Sequence, residues 1–306
     1  MKTRIFCCFY LFSIGILAMS FMPQPVIMPL IKKVNPDDST YIKEIQAWHQ
    51  KRMEGLKTEN GWLNLAGLFW LKEGKNTFGS DRSNAIVFPK GAGLMGQFTL
   101  NNGEVSIEID PQAHITVNNA PITTLKLFPS DKNIVMQSQS LRWFVIKRGD
   151  KYGIRLRDLE SDVLKHFTDV DTYPIDSKWR IKARIDPSTI GKTVEVTDVL
   201  GHVTPQKSPG TLVFKLNNKT YRLDAVDEGD ELFILFADAT NKKETYGSGR
   251  FLYADKPNAK GDVYLDFNKA TNPPCAFTPF ATCPLPPKQN RLPIAILAGE
   301  KNYSDH

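Results

Sequence analysis

The stretch QFTLNNGEVSIEI, at positions 97–109, decides the fold class of this sequence. Apolar and polar residues alternate through 98–100 and again through 105–109, which is the two-residue period of a half-buried strand. Asn102 and Gly103 stand between the two runs, and tight hairpin turns prefer this pair because both residues tolerate a positive φ. The stretch therefore predicts an antiparallel β-hairpin with one face in a core.

Further short strands lie between turn residues on both sides of this hairpin. The pattern before residue 160 predicts strands at 85–88, 97–100, 105–109, 115–117, 143–146 and 152–156. A second set follows Tyr173 and Pro174, at 179–185, 193–196, 212–216, 221–223, 232–236 and 263–267. Helical patterns do not interrupt either set, which argues against parallel βαβ units. We therefore expect a mostly β protein, with an antiparallel β-sandwich over 76–168 and a small antiparallel β-barrel or second sandwich over 169–306.

One helix is predicted ahead of the strands, at about 38–54. Asp38 and Ser39 supply capping side chains, and Ile42, Ile45 and Met53 follow at helical spacing. His49 lies on or beside this apolar stripe, where a packed or surface histidine is the ordinary interpretation. The apolar segment 62–71 is too short to cross a membrane. We assign 38–75 to a helix followed by an apolar connector that enters the core.

The first 20 residues have the pattern of a secretory signal peptide. Lys2 and Arg4 precede an apolar run, and Ala18 and Ser20 fit a small-residue cleavage site. The alternative is an uncleaved N-terminal anchor, because part of the following proline-containing leader, 21–37, is also apolar. We expect an exported protein, periplasmic or extracellular, that contacts the membrane only through this segment and only if it stays attached.

The overall charge argues against a nucleic-acid partner. The chain of 306 residues has 39 Lys and Arg against 33 Asp and Glu, and these are spread along the sequence rather than clustered. Removing residues 1–20 takes away two basic residues, so the mature charge becomes 37 − 33 = +4. A weakly basic exported protein of this composition is an ordinary globular chain.

Two cysteines remain after such cleavage, Cys275 and Cys283. In an oxidising compartment their short separation predicts a local disulfide. They lie in a proline-rich stretch, 272–293, that has few backbone donors and suits an ordered loop better than a linker. We expect this loop to lie across the mouth of the barrel.

Several short motifs are present but lack the context that their chemistry needs. Gly91–Gly96 matches G-x-G-x-x-G, yet a strand pattern follows where a dinucleotide site needs a helix. Ser248 lacks the glycine two residues earlier that a nucleophile elbow requires. The cysteines and histidines do not have the spacing of a zinc site. We therefore predict no cofactor and no metal.

The segments 78–89 and 117–122 resemble strands of forkhead-associated domains, which implies a sandwich of that type for roughly 76–160. In that family a Ser-x-x-His turn and a later Asn bind phosphothreonine. Here Gly96–Phe98 takes the place of the turn, so phosphopeptide binding is not implied.

A second resemblance is to the bacterial and archaeal family known as domain of unknown function 1684, and it runs from about Tyr41 to Lys301. The family has no established activity, so the resemblance implies no reaction. It rests on the segments 61–63, 78–80, 238–240, 245–252, 265–268, 272–287, 290–293 and 298–300.

Polar residues within those segments are the candidate site. Arginine can hold a carboxylate or phosphate through two parallel hydrogen bonds, and carboxylates can act as general acids or bases, or simply as ion-pair partners. We expect internal bridging more than chemistry from such sets. The ligand-binding candidates are Arg250, Arg291, Tyr246 and Asn268, and the catalytic candidates are Asp238, Asp266 and Glu300.

Three functions are compatible with this sequence. The first is binding of a small anionic or amphiphilic ligand, suggested by arginines among aromatic residues in a barrel-like region. The second is a hydrolase-like enzyme that uses the C-terminal carboxylates. The third is a structural or envelope-interaction module.

Overall fold

The computed structural model describes residues 36–303, and the predicted signal peptide at 1–20 lies outside them. The described chain has two α-helices, α1 (Pro36–Lys57) and α2 (Asp162–His166). Eleven strands lie between them, β1 (Leu65–Trp70), β2 (Gly74–Gly79), β3 (Ile86–Val87), β4 (Gly96–Asn101), β5 (Glu104–Ile109), β6 (Thr116–Val117), β7 (Ala120–Pro121), β8 (Thr124–Phe128), β9 (Met136–Ser138), β10 (Leu141–Arg148) and β11 (Lys151–Asp158). Eight more follow, β12 (Arg180–Ile185), β13 (Thr193–Thr197), β14 (Val203–Lys207), β15 (Gly210–Leu216), β16 (Lys219–Glu228), β17 (Glu231–Phe236), β18 (Arg250–Asp255) and β19 (Asp262–Asp266).

The first eleven strands form the predicted sandwich, which is antiparallel except for the short parallel pair of β2 and β3. One sheet has the order β3-β2-β4-β5-β8 and the other β1-β11-β10-β9-β6-β7. Phe78, Phe98 and Trp143 are fully buried in its core. The hairpin expected at 97–109 is β4 and β5, whose turn has φ of 49° at Asn102 and 86° at Gly103. Positive φ at both turn positions is what the Asn-Gly pair supplies.

The later strands form a nearly closed barrel. Its antiparallel sheet has the order β18-β17-β16-β15-β12-β19, and the two end strands approach each other. Alternate residues such as Ile234 and Leu252 fill the interior. The hairpin of β13 and β14 covers part of the outside, where Val194 contacts the cluster of Phe233 and Leu235. Of the two architectures expected for this region, the barrel is therefore the one present.

The helix and its connector differ in detail from the prediction. Helix α1 begins at Pro36 and ends at Lys57, so it extends beyond the predicted range 38–54 at both ends. Its first residue is a proline, which is tolerated there because the N–H groups of the first helical turn have no partner within the helix. The apolar connector includes strand β1, which pairs with β11. None of the helices in residues 36–303 has the length and apolarity needed to span a bilayer.

Cys275 and Cys283 form the predicted disulfide. The bond closes a loop whose cysteines are separated by eight positions, and Cys283 is buried. The loop borders helix α1, since Ala276 and Phe277 belong to the same apolar cluster as Met53 and Leu56. The disulfide therefore restrains a segment on which the helix packs.

We expect the double variant Cys275→Ala with Cys283→Ala to lose about 2.5 kcal/mol of unfolding free energy, because closing so short a loop restricts the unfolded chain by that amount. Urea unfolding followed by tryptophan fluorescence measures the difference. The wild-type protein in dithiothreitol is the matched control and should shift by the same amount. Equal midpoints for the oxidised wild type and the double variant would contradict the prediction.

Candidate functional site

Residues 290–300, called the C-terminal segment below, pack on the barrel, since Leu292, Ile296 and Ala298 belong to its apolar cluster. Directly after β17, Ala237 N donates to Asn290 O (3.0 Å), and Leu292 N donates to Ala237 O (2.8 Å). Farther along, Gly299 has a φ of 76°, and a Cβ there would lie 2.5 Å from the carbonyl oxygen of Ala270. Only glycine fits this approach, since any side chain would meet backbone that cannot move away.

Arg250 holds this segment in place. It is the first residue of β18 and is completely buried. Its Nη2 donates to Asp238 Oδ2 at 2.7 Å and to the Ile296 carbonyl at 3.0 Å, and Nη1 donates to the Ala298 carbonyl at 2.5 Å. The guanidinium also lies 5.2 Å from the ring centroid of Phe236. Both terminal nitrogens are therefore occupied by protein acceptors, whereas the buried Nε has no hydrogen-bond partner among the described residues.

The other predicted ligand-binding residues are not gathered around Arg250. Arg291 is exposed and lines a surface cavity of about 330 Å³ together with Asn241 and Lys242. Tyr246 is half-buried and packs on the apolar cluster around helix α1. Asn268 is buried just after β19, and its Nδ2 donates to the hydroxyl of Tyr41 on that helix at 2.9 Å. The arginines that looked equivalent in the sequence thus have opposite environments.

Glu300 and Asp266 fasten helix α1 to the barrel. Arg52 Nε donates to Glu300 Oε1 at 3.2 Å, while Asn272 N donates to the other oxygen at 2.6 Å. Nearer the start of the helix, the hydroxyl of Tyr41 donates to Asp266 Oδ1 at 2.7 Å. Burial, with the adjacent Asp266 carboxylate, raises the pKa of Tyr41 above its usual range, so Tyr41 stays a donor at neutral pH.

The three catalytic candidates therefore have three different sets of partners. Asp238 binds Arg250 and also accepts from the backbone and hydroxyl of Thr240, at 2.8 and 2.6 Å. Glu300 and Asp266 bind different turns of helix α1. Within residues 36–303, His, Cys, Asp and Glu side chains do not form a group of three or more that could hold a metal ion.

A groove runs along the docked helix, between α1 and residues 168–175. Its volume is about 830 Å³. Its walls combine apolar and polar side chains. The apolar ones include Ile42, Ile45, Met53, Tyr173 and Ile175, and the polar ones include His49, Lys57, Asp169 and Asn268. Asn268 is the one predicted ligand-binding residue among its described lining residues. We take this groove as the candidate functional site.

Two contacts fix the wall of the groove opposite the helix. His49 Nε2 lies 2.9 Å from Asp169 Oδ1, a contact that joins the helix to residues 168–175. Tyr173 N donates to Gly299 O at 3.0 Å, which ties the same wall to the C-terminal segment. Burial, helped by the nearby Glu244 carboxylate, raises the pKa of Tyr173 to about 12. The tyrosine is therefore neutral at physiological pH.

Sequence reasoning missed the groove because its two walls are far apart in the chain. Residues 169–174 were interpreted only as a boundary between the two β regions. The sequence signals for it are the apolar residues Val170, Tyr173 and Ile175 between polar neighbours, and the apolar positions Ile42, Ile45 and Met53 of the helix.

We expect Arg250→Met to reduce the unfolding free energy by about 3–5 kcal/mol, because it leaves the buried Asp238 carboxylate without its counter-ion. The control is Arg291→Met, at an exposed arginine, which should change stability by less than about 0.5 kcal/mol. Adding Asp238→Leu to Arg250→Met should restore part of the loss, since no lone buried charge remains. Chemical denaturation measures all three, and equal effects for Arg250 and Arg291 would refute this role.

Six chains among the solved structures are similar to this one, and two of these partial likenesses follow. One is the solution NMR structure of an uncharacterized protein from Haloarcula marismortui, with 27% identity, covering 46% of this chain and 80% of that one, at a TM-score of 0.38. The other comes from a study of phosphothreonine-dependent FHA domain interactions, with 19% identity, covering 29% of this chain and 92% of that one, at a TM-score of 0.20.

Comparison with curated proteins returns no match. A family model does match, and its match covers the barrel, the disulfide loop and the C-terminal segment but not the sandwich. The matched region is therefore shorter than the resemblance expected from the sequence, which begins at about Tyr41. Residues 165–301 of this chain resemble the family described as Protein of unknown function (DUF1684).

Proposed function

We propose that this protein binds a small amphiphile with an anionic head in the groove beside helix α1. The observation that carries the proposal is the groove itself, with its volume of about 830 Å³ and its mixed lining. Cavities that bind small molecules have volumes of about 300–1,000 Å³ and combine apolar walls with a few polar groups.

The apolar part of the ligand would lie along the helix. Ile42, Ile45 and Met53 line the groove from α1, and Tyr173 and Ile175 line it from the opposite side. Burying an alkyl chain there gains roughly 0.8 kcal/mol for each CH₂ group removed from water. A chain of moderate length would therefore bind without any specific polar contact.

The anionic head is supported by the charges at the end of the groove. Asp169 is paired with His49, and Glu54 accepts a hydrogen bond from Gln50 at 3.3 Å. Lys57 has no ion pair among the described residues, and its Nζ lies 5.3 Å from the ring centroid of Phe167. It is the cation of the groove that remains available to a ligand.

The carboxylate chemistry of a hydrolase has less support. Asp238, Asp266 and Glu300 each bind protein groups already described, and nothing in the described residues favours either an enzymatic or a purely structural role over ligand binding.

We expect dodecanoate to bind the wild-type protein with one saturable site in isothermal titration calorimetry. Ile42→Asp should weaken binding by at least about tenfold, because it places a desolvated carboxylate against the alkyl chain. Lys57→Ala should weaken it by about threefold through loss of the head contact. These effects measure the apolar and the charged part of the groove separately.

The matched control is Ile190→Asp, the same substitution at an isoleucine that is 69% exposed and outside the groove. It should leave the affinity unchanged. Absence of saturable binding, or the same loss in Ile42→Asp and Ile190→Asp, would reject the proposal.

We further infer that the chain is exported and cleaved after Ser20. The basic residues and apolar run at its start support this, and so does the Cys275–Cys283 disulfide, because disulfides persist mainly in oxidising compartments. An uncleaved anchor would leave the same disulfide in place.

Expression of the full chain in a Gram-negative host, followed by fractionation and mass spectrometry, should yield a periplasmic protein that begins at Phe21 and lacks free thiols. Introducing Asp into the apolar run, as Leu11→Asp, should retain the protein in the cytoplasm with Met1 present. A wild-type chain recovered from the cytoplasm with residues 1–20 attached would overturn the inference.

A further inference from the structure

Two arginines on strand β11 of the sandwich have contrasting environments. Arg157 is buried, and its Nη1 donates to the carbonyl oxygen of Gly61 and, at 2.7 Å, to Asn64 Oδ1, whereas its buried Nε has no hydrogen-bond partner among the described residues. Arg155, two positions earlier on the same face, is 6% exposed, and its Nε and Nη2 have no hydrogen-bond partner among the described residues. Its side chain also forms no ion pair within residues 36–303.

Arg155 lines a cavity that is rich in cations. The cavity lies beside strand β10 and the loop 129–135, has a volume of about 350 Å³, and includes Lys132, Lys147 and Arg148 in its lining. None of its described lining residues is Asp or Glu. Arg148 is held by Thr282, which accepts from its Nε at 3.2 Å, while the side chain of Lys132 has no ion pair among the described residues. Positive charge is thus concentrated without a counter-ion from the described chain.

The edge of the sheet adds backbone groups to this cavity. Strand β9 pairs with β10 only from Leu141 to Trp143, and the cavity is lined by the continuation of β10 from Phe144 to Arg148. Over this part β10 pairs with β11 on one side and with no described strand on the other. Strand edges present unpaired N–H groups, which are donors to an anion.

The energetics of the site favour an occupant with negative charge. Burial, and then the neighbouring charges of Arg148 and Arg157, lower the pKa of Arg155 to about 10. A buried cation without a counter-ion is destabilising, because it loses hydration and no protein acceptor replaces the lost water. A bound anion would supply the missing acceptors and neutralise the repulsion.

We propose that this cavity binds a phosphoryl group, carried either by a small phosphomonoester or by a lipid headgroup. A doubly charged tetrahedral anion can accept hydrogen bonds from the Arg155 guanidinium through two of its oxygens and present the others to the neighbouring lysines and arginine. A carboxylate has only two oxygens and half that charge. The cavity volume of about 350 Å³ suits the phosphoryl group with a small organic substituent. This site lies in the sandwich and is independent of the groove beside α1.

Calorimetric titration of the purified protein with glycerol 3-phosphate, at constant ionic strength, tests the proposal. We expect one saturable site, at least about tenfold weaker binding in Arg155→Met, and about threefold weaker binding in Lys132→Ala. The matched control is Lys75→Ala, at an exposed lysine of strand β2 outside the cavity, which should bind like the wild type. A parallel flotation experiment with phosphatidic acid vesicles, against phosphatidylcholine vesicles, distinguishes a lipid source from a soluble one.

Melting temperatures separate this function from a structural role of Arg155. Without phosphate, Arg155→Met should be at least as stable as the wild type, because an uncompensated buried charge is removed, and phosphate should raise the melting temperature of the wild type alone. The proposal is wrong if neither glycerol 3-phosphate nor the vesicles bind. It is also wrong if binding survives both Arg155→Met and Lys132→Ala unchanged, or if Arg155→Met destabilises a protein that binds no phosphate.

Discussion

The buried guanidinium of Arg250 is the contact on which the rest of the C-terminal region depends. It joins Asp238, in the loop after β17, to the carbonyl groups of Ile296 and Ala298, so this part of the C-terminal segment is fixed on the barrel. That placement positions Glu300 for Arg52, and Arg52 in turn positions helix α1. Together with the contacts of Tyr41 and His49, this arrangement holds the helix that forms one wall of the groove. The buried ion pair of Arg250 and Asp238 thus stabilises the segment that holds the helix beside the groove, although neither residue lines the groove.

Local structure was predictable from the sequence wherever a single stretch contained its own signal. The Asn-Gly turn identified the β4–β5 hairpin, the spacing of Ile42, Ile45 and Met53 identified α1, and two close cysteines identified the disulfide. Seven strands were not predicted: β1, β2, β7, β8, β9, β14 and β18. Strand β2 begins and ends with glycine and β14 contains a proline, residues that weaken a strand pattern.

The functional geometry was much less predictable, because residue type does not reveal which atoms surround a charge. Arg250 and Arg291 both lie in segments that carry the family resemblance, yet Arg250 is completely buried and Arg291 is exposed. Arg155 and Arg157 share a strand and a face, yet only Arg157 meets acceptors, supplied by a segment more than 90 positions away. Such differences depend on long-range contacts, which a periodic pattern does not encode.

The docking of helix α1 also has a consequence for the order in which the molecule assembles. Its hydrogen bonds to Asp266 and Glu300 join residues that are 225 and 248 positions apart. The helix is the first described element of the chain to be synthesised, but the groups that receive it are among the last. Until they emerge, the apolar face of α1 has no partner and is open to other hydrophobic surfaces. The first described helix is thus among the last elements to be packed, and its apolar face is a target for chaperones during that interval.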